Sequence, residues 1–288
     1  MIKISIVVTS YSVERINDIH DLLDSIKFQA YENIETVYVI ERSKNLYFAV
    51  KEYAESIKLP IKLVFTQEKQ GLGGARNLGS AKANGEIIAF VDDDVVLDPN
   101  WAKEMVGSYK DDVIGVTGSA YPLWQDKELL WLPKELYWLI GCTYWTGWNE
   151  ITEVKTVWGF SMSFRREVFE KAGSFLHIVA GEDTEFSSRV RMKTGKKLLF
   201  NPQVKVGHKV HGYKVGFKFV SQRARYIAGF RRMWKAPKED ALLNTDNRAI
   251  GGMVGILLHL PTDFVKNPII AWKKFSLVSA VVISAGIG

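Results

Sequence analysis

Three consecutive acids, Asp92, Asp93 and Asp94, close the apolar run Ile87-Ile-Ala-Phe-Val91. Like charges this close repel one another and raise their own pKa values, so they are costly unless a cation or donors from elsewhere occupy the site. Carboxylate oxygens suit a hard divalent ion, Mg²⁺ or Mn²⁺, which keeps several waters and shares its coordination with substrate phosphates. By themselves the three acids read equally as a solvated turn before the helix that Pro99 starts. A second acidic pair, Glu182-Asp183, follows Gly181 and opens an amphipathic segment with Phe186 and Val190 on its apolar side. Acids there serve either as dipole partners of a helix start or as a general base. His208 and His211 are equally open: neutral imidazole is a good metal ligand, and single histidines are often structural.

The elements that would position these groups alternate. Residues 2–9 begin with alternation and become continuously apolar, as a strand entering a sheet interior does. Residues 13–28 carry Ile16, Ile19, Leu22, Leu23 and Ile26 at helical spacing, and 34–40 form a strand ending at Glu41. A helix over 46–57, a strand over 61–65 and the Gly-rich segment 70–79 lead to the acidic strand. Repeated βαβ units predict a parallel sheet with right-handed crossovers, so the strand ends at Thr9, Glu41 and Asp92 to Asp94 share one crevice. The segment Gln70-Gly-Leu-Gly-Gly-Ala-Arg-Asn-Leu-Gly79 has the spacing of neither a P-loop nor a dinucleotide fingerprint. Its Arg76 is expected near a helix start, where the dipole favours an anion, or simply solvating that start. Further on, the pattern predicts a helix over 101–109, a strand over 113–118, a small-residue strand over 158–165 with a helix from Glu167, and strands over 197–200 and 204–211.

Val-Val-Thr-Ser-Tyr near the start, Gly-Leu-Gly-Gly-Ala-Arg-Asn-Leu-Gly, Phe-Val-Asp-Asp-Asp and Gly181-Glu-Asp occur in that order. Together they resemble the successive motifs of family 2 inverting glycosyltransferases with the GT-A fold, across residues 2–212. The resemblance implies an α/β GT-A domain over 1–212, with a nucleotide-binding half to about 98, an acceptor half beyond it, and a separate helical region over 213–288. It implies a nucleotide-sugar donor, such as a UDP- or GDP-sugar, held by Thr9, Tyr11, Glu41, Gly71, Arg76, Asp92 and Asp93. It implies Mn²⁺ or Mg²⁺ on Asp94, Asp92 and His208, and Asp183 as the base with Glu182 beside it. Glu41 stands where the family usually has Asp, and Arg42-Ser43 replaces a second acid and Gly. Trp158, in the segment that resembles the one beneath the donor sugar, is expected on the acceptor side. Gln222-Arg-Ala-Arg-Tyr226 resembles the Gln-x-x-Arg-Trp box of the family's processive branch, with Tyr for Trp, and adds Gln222 and Arg225 to that side.

The stretch with Trp124, Trp131, Trp138, Tyr144, Trp145 and Trp148 fits an acceptor groove, a shelf meeting lipid, or core packing. Residues 214–238 interleave basic and aromatic side chains, as an interfacial helix or a solvated basic face does. The runs 251–260 and 275–288 are apolar and nearly uncharged; the last is too short by itself to span a bilayer and reads either as an interfacial segment or as the beginning of a span. A net charge of +6 favours anionic partners, which include nucleotides, lipid phosphates and a membrane face; nucleic acid is not an expected partner on this reading. The single Cys142 excludes an internal disulfide, and with no secretory signal expected at the start, the setting is cytoplasmic, peripheral to a membrane face. The acceptor is then a saccharide or a lipid-linked group. Two rivals stay open: a nucleotidyltransferase, which wants a basic Gly-rich loop where Thr9-Ser-Tyr stands, and a non-enzymatic saccharide- or lipid-binding protein, which has no use for the acid triplet and Asp183 together.

Overall fold

The computed structural model describes residues 1–143, 146–234 and 246–287, so Tyr144, Trp145 and the 235–238 end of the basic stretch lie outside the described residues. The chain forms two compact units, residues 1–120 with 148–208, and residues 121–147 with 209–288.

In the first unit β1 (Ile4–Ser10), α1 (Ile16–Lys27), β2 (Ile34–Glu41), α2 (Lys44–Ser56), β3 (Ile61–Thr66), α3 (Gly71–Lys82) and β4 (Ile87–Val91) alternate as the sequence predicts. Their strands pair in parallel in the order β3-β2-β1-β4. β1 is apolar on both sides because both are covered: Ile4, Ile6 and Val8 pack with Ile19, Leu22 and Leu23 of α1, while Val7 packs on the opposite face with Phe90 and Phe175. The glycines of α3 serve this packing. A Cβ on Gly79 would lie 2.3 Å from Val7 Cγ1, so the helix rests directly on β1.

Beyond β4 the sheet turns antiparallel. β5 (Val95–Leu97) follows the acid triplet at once, then α4 (Trp101–Gly107), β6 (Val113–Trp124), β7 (Thr152–Val154), β8 (Ser161–Arg165), α5 (Glu167–Lys171), α6 (Glu182–Thr194) and β9 (Lys197–Val210). The strand order continues β4-β8-β6-β9-β5, with β7 also on β9. Three sequence expectations change here. The strand at 113–118 runs on to Trp124, the triplet leads into β5 before any helix, and 197–200 with 204–211 are one strand. Pro202 is tolerated inside β9 because β7 pairs with 198–200 and β5 with 206–208, leaving the proline between the two ladders.

The second unit holds α7 (Phe217–Met233), α8 (Asp246–Lys266) and α9 (Pro268–Ile287). Leu136, Ile140, Val220, Ile256, Val278 and Val281 belong to its core, with Trp124, Trp131 and Trp138 partly buried against it. These three tryptophans therefore contribute to packing, and so do Leu277, Val278, Ala280 and Val281 of the apolar run that starts at Phe275. Residues 121–147, placed by the sequence reading in an acceptor half ending at 212, fold with the C-terminal helices. Among the described residues no helix is long and apolar enough to cross a membrane.

Candidate active site

The carboxyl end of β4 is where parallel and antiparallel halves of the sheet meet, and the acid triplet stands there. Asp94 is buried, and its Oδ1 lies 3.1 Å from His208 Nε2 on β9. Asp92, Asp94 and His208 each offer a ligand atom, and these atoms all lie within 4.8 Å of one another. Two carboxylate oxygens and an imidazole nitrogen suit Mn²⁺ or Mg²⁺, and the group could hold such an ion with positions left for water and phosphate.

Asp93 faces elsewhere. Ser10 Oγ donates to its Oδ2 at 2.6 Å and Arg15 Nη1 to its Oδ1 at 3.0 Å. Burial pushes its carboxyl above the ordinary range, Arg15 pulls it back, and Asp94 adds to the rise. Both of its oxygens are thus engaged by groups at the end of β1. Sequence reasoning gave neither Ser10 nor Arg15 a role in the site, although a close-set triplet demands nearby donors and the loop after β1 was the nearest supply.

Arg76 lies in the second turn of α3, not at its start, and is buried. Its Nη1 donates to Glu182 Oε1 at 2.7 Å, and its Nη2 to Asp92 Oδ1 at 3.3 Å and to the Gly159 carbonyl at 3.1 Å. A Cβ on Gly159 would lie 2.7 Å from Nη2, so any larger residue there would push on the guanidinium. Burial and neighbouring Asp183 raise the Glu182 carboxyl above its ordinary range, with Arg76 acting in the opposite sense. Glu182 is therefore committed to Arg76.

Asp183, next on α6, is half-buried. Its Oδ2 accepts the Gly159 N–H at 3.0 Å and its Oδ1 the Thr184 N–H at 2.7 Å. Thr184 Oγ1 also donates to Oδ1 at 3.3 Å, so Oδ2 is the oxygen that keeps a lone pair for a further proton. Gly159 thus touches Asp183 through its N–H and Arg76 through its carbonyl, which joins the candidate base to the acids of β4. Trp158 stacks between Trp148 and Phe160, with ring centroids 6.0 and 6.2 Å away, and Phe160 lies 6.1 Å from the His208 ring. The ring wall therefore borders the metal group.

Of the donor-side residues, Thr9 is partly buried in β1 and Tyr11 is exposed. Glu41 is buried at the end of β2, and its Oε2 accepts the Gln70 N–H at 3.1 Å just before Gly71. Beyond it, Arg42, Ser43, Lys44, Asn45, Phe65 and Gln67 line an open cavity of about 510 Å³. Gln222 and Arg225 belong to the second unit, exposed on α7, where Gln222 Nε2 donates to Tyr226 at 2.7 Å.

The sequence profile described as Glycosyl transferase family 2 matches residues 5–173, which carry the acid triplet, Arg76 and Gly159. The chain belongs to glycosyl transferase family 2. Like the curated relatives it matches, this family 2 chain is a glycosyltransferase. One relative, named glucosyl-dolichyl phosphate glucuronosyltransferase, from Haloferax volcanii, is 28% identical over 99% of this chain and 94% of its own length. Among solved structures the family 2 chain resembles a mannosyltransferase from Pyrobaculum calidifontis in complex with GDP-Man and Mn²⁺, at a TM-score of 0.69 and 20% identity over 99% of this chain and 86% of that one. It also resembles GalNAc-T7 solved with UDP, GalNAc and Mn²⁺, at a TM-score of 0.58 and 19% identity over 79% of this chain and 48% of that one. Both likenesses establish the GT-A fold.

Proposed function

We propose that the chain transfers a sugar, with inversion, from a nucleotide diphosphate sugar to a lipid-linked saccharide or lipid phosphate, with Asp183 as general base and a divalent metal on Asp92, Asp94 and His208. The observation that carries this reading is Gly159, hydrogen-bonded to Asp183 on one side and to Arg76 on the other, while Arg76 reaches Asp92. The candidate proton acceptor and the acid cluster are thus joined through the turn that leads into β8. An inverting transfer needs that pairing.

Asp183 takes the proton of the acceptor hydroxyl as its oxygen attacks the anomeric carbon, and the bond from that carbon to the diphosphate oxygen breaks on the opposite face. Asp92, Asp94 and His208 would hold the ion, which when bound neutralises the departing diphosphate. Mn²⁺ accompanies GDP-Man in one structural neighbour and UDP with GalNAc in the other. Glu182 keeps Arg76 in place, and Arg76 keeps Asp92 turned toward the crevice. Trp158 offers a ring for a sugar face.

Two observations support a lipid-borne acceptor. The Haloferax volcanii relative is named for a dolichyl phosphate substrate. On α8, Ile250, Val254, Leu257, Leu258, Phe264 and Val265 recur at helical spacing and are all exposed, Val265 at 88%. An apolar stripe of this kind lies in the interface of a bilayer, and the exposed Lys266 next to Val265 favours anionic headgroups. The test is a panel of UDP- and GDP-sugars with polyprenyl-phosphate and glycosylated polyprenyl-phosphate acceptors, in Mn²⁺ or Mg²⁺ and in EDTA. Transfer by at least one donor in metal and none in EDTA is expected. Metal-independent transfer would overturn the reading.

A further inference from the structure

Each carboxylate of the metal group already has a guanidinium partner. Asp92 Oδ1 is 3.3 Å from Arg76 Nη2, and Asp94 Oδ2 is 3.4 Å from Arg15 Nη1. The two arginines differ in what holds them. The Arg76 side chain is 3% exposed and tied to Glu182 and Gly159, so its place is fixed by the fold. The Arg15 side chain is 36% exposed, stands on the short 3-10 turn Val13–Arg15 after β1, and shares its Nη1 between Asp93 and Asp94. His208 takes Oδ1 of Asp94 and Arg15 takes Oδ2. A cation bound by Asp94 must therefore share that carboxylate with the Arg15 guanidinium.

We propose that Arg15 makes cation binding at Asp94 depend on the nucleotide diphosphate: it opposes the bare ion and, with it, attracts the diphosphate, so the two ligands bind cooperatively. The inference rests on the metal reading of Asp92, Asp94 and His208. Like charges on one carboxylate disfavour each other, and a guanidinium close to the ion lowers its affinity. A diphosphate reverses the balance, because its oxygens accept from the guanidinium and bridge to the metal. Asp93 is the residue that makes this possible. With Oδ2 fixed by Ser10, its Oδ1 aims Arg15 at the metal acid without itself entering the metal group. Because coupling between two bound ligands is reciprocal, the same factor appears in the metal affinity with nucleotide and in the nucleotide affinity with metal.

The experiment measures Mn²⁺ binding by the loss of the free-ion electron paramagnetic resonance signal, in the full chain, alone and with saturating UDP or GDP. Wild type, Arg15→Gln, Arg15→Lys and Asp94→Asn are compared at equal melting temperature. Arg15→Gln should bind Mn²⁺ without nucleotide about tenfold more tightly and lose about tenfold of the coupling factor, the size expected for one removed close charge. Arg15→Lys, which keeps the charge, should keep most of the coupling. Loss of local order cannot tighten a metal site, so tighter binding separates an electrostatic role from a structural one. Unchanged or weaker Mn²⁺ binding by Arg15→Gln, with an unchanged coupling factor, would overturn the inference while leaving the metal site standing. Wild type that binds no Mn²⁺ under either condition, or Asp94→Asn that binds it as well as wild type, would overturn the metal reading itself.

Discussion

Arg76 Nη1 donates to Glu182 Oε1 at 2.7 Å, with both side chains buried, at 3% and 8% exposure. The pair joins α3 to α6 and holds the first turn of α6, where Asp183 stands. Through Nη2 the same guanidinium reaches Asp92 and the Gly159 carbonyl, so one cation ties together three elements of the site.

Removing that cation leaves Glu182 buried without its partner, a mechanism that costs about 3–5 kcal/mol. Arg76→Met should lower the melting temperature accordingly and abolish transfer. Glu182→Gln, which can still accept from Arg76, should destabilise less. Thermal unfolding of the two variants against wild type checks the order, and equal stability of Arg76→Met and wild type would contradict it.

Gly159→Ala places a methyl 2.7 Å from Arg76 Nη2, and three hydrogen bonds prevent the guanidinium from yielding freely. Overpacking of this kind costs about 1–3 kcal/mol. Since displacement by about 1 Å near the chemistry can cost as much as about 10²-fold, the variant should lose at least about tenfold in turnover while remaining folded. Steady-state kinetics at a temperature well below its melting point decide this.

At the metal group, His208→Ala and Asp94→Asn should each weaken Mn²⁺-dependent binding of the nucleotide diphosphate by at least about 10-fold, the lower end of what metal-site substitutions cost. Calorimetric titration with and without EDTA measures it. An Asp93→Asn variant should affect metal affinity less, because Asp93 bonds Ser10 and Arg15 and lies outside the group.

The difference between Asp93 and its neighbours marks how far the sequence could be read. The βαβ alternation up to β4 was legible because buried parallel strands are short continuous apolar runs, and α1 carries its apolar residues at one spacing. The triplet's position at a strand end followed from that. Which of three adjacent acids turns away from His208 depends on Ser10 and Arg15, which reach Asp93 across 83 and 78 residues. No local pattern carries such a contact. β5 was hidden because three residues between acids and Pro99 hold no period, and the continuity of β9 was hidden by Pro202. The tryptophans of 121–147 were ambiguous for a different reason: a ring covering a core and a ring awaiting a sugar are the same residue until the packing is seen.

The exposed stripe of α8 gives a prediction independent of the chemistry. Leu258→Glu with Val265→Glu should sharply reduce co-sedimentation with anionic liposomes and leave nucleotide binding within about twofold, since surface substitutions away from a site are close to neutral. High salt should weaken wild-type binding only in part, because inserted apolar area is not screened. Equal sedimentation of variant and wild type would remove the stripe from this role.

The central claim is that Asp183 takes the acceptor's proton. Asp183→Asn keeps the shape and the bond from the Gly159 N–H but cannot take up that proton. Single-turnover transfer with saturating donor and Mn²⁺ measures the chemical step directly, alongside the donor dissociation constant of the same preparation. The account predicts a rate lower by about 10²-fold or more with donor binding changed by less than about threefold. A rate within about threefold of wild type would contradict it.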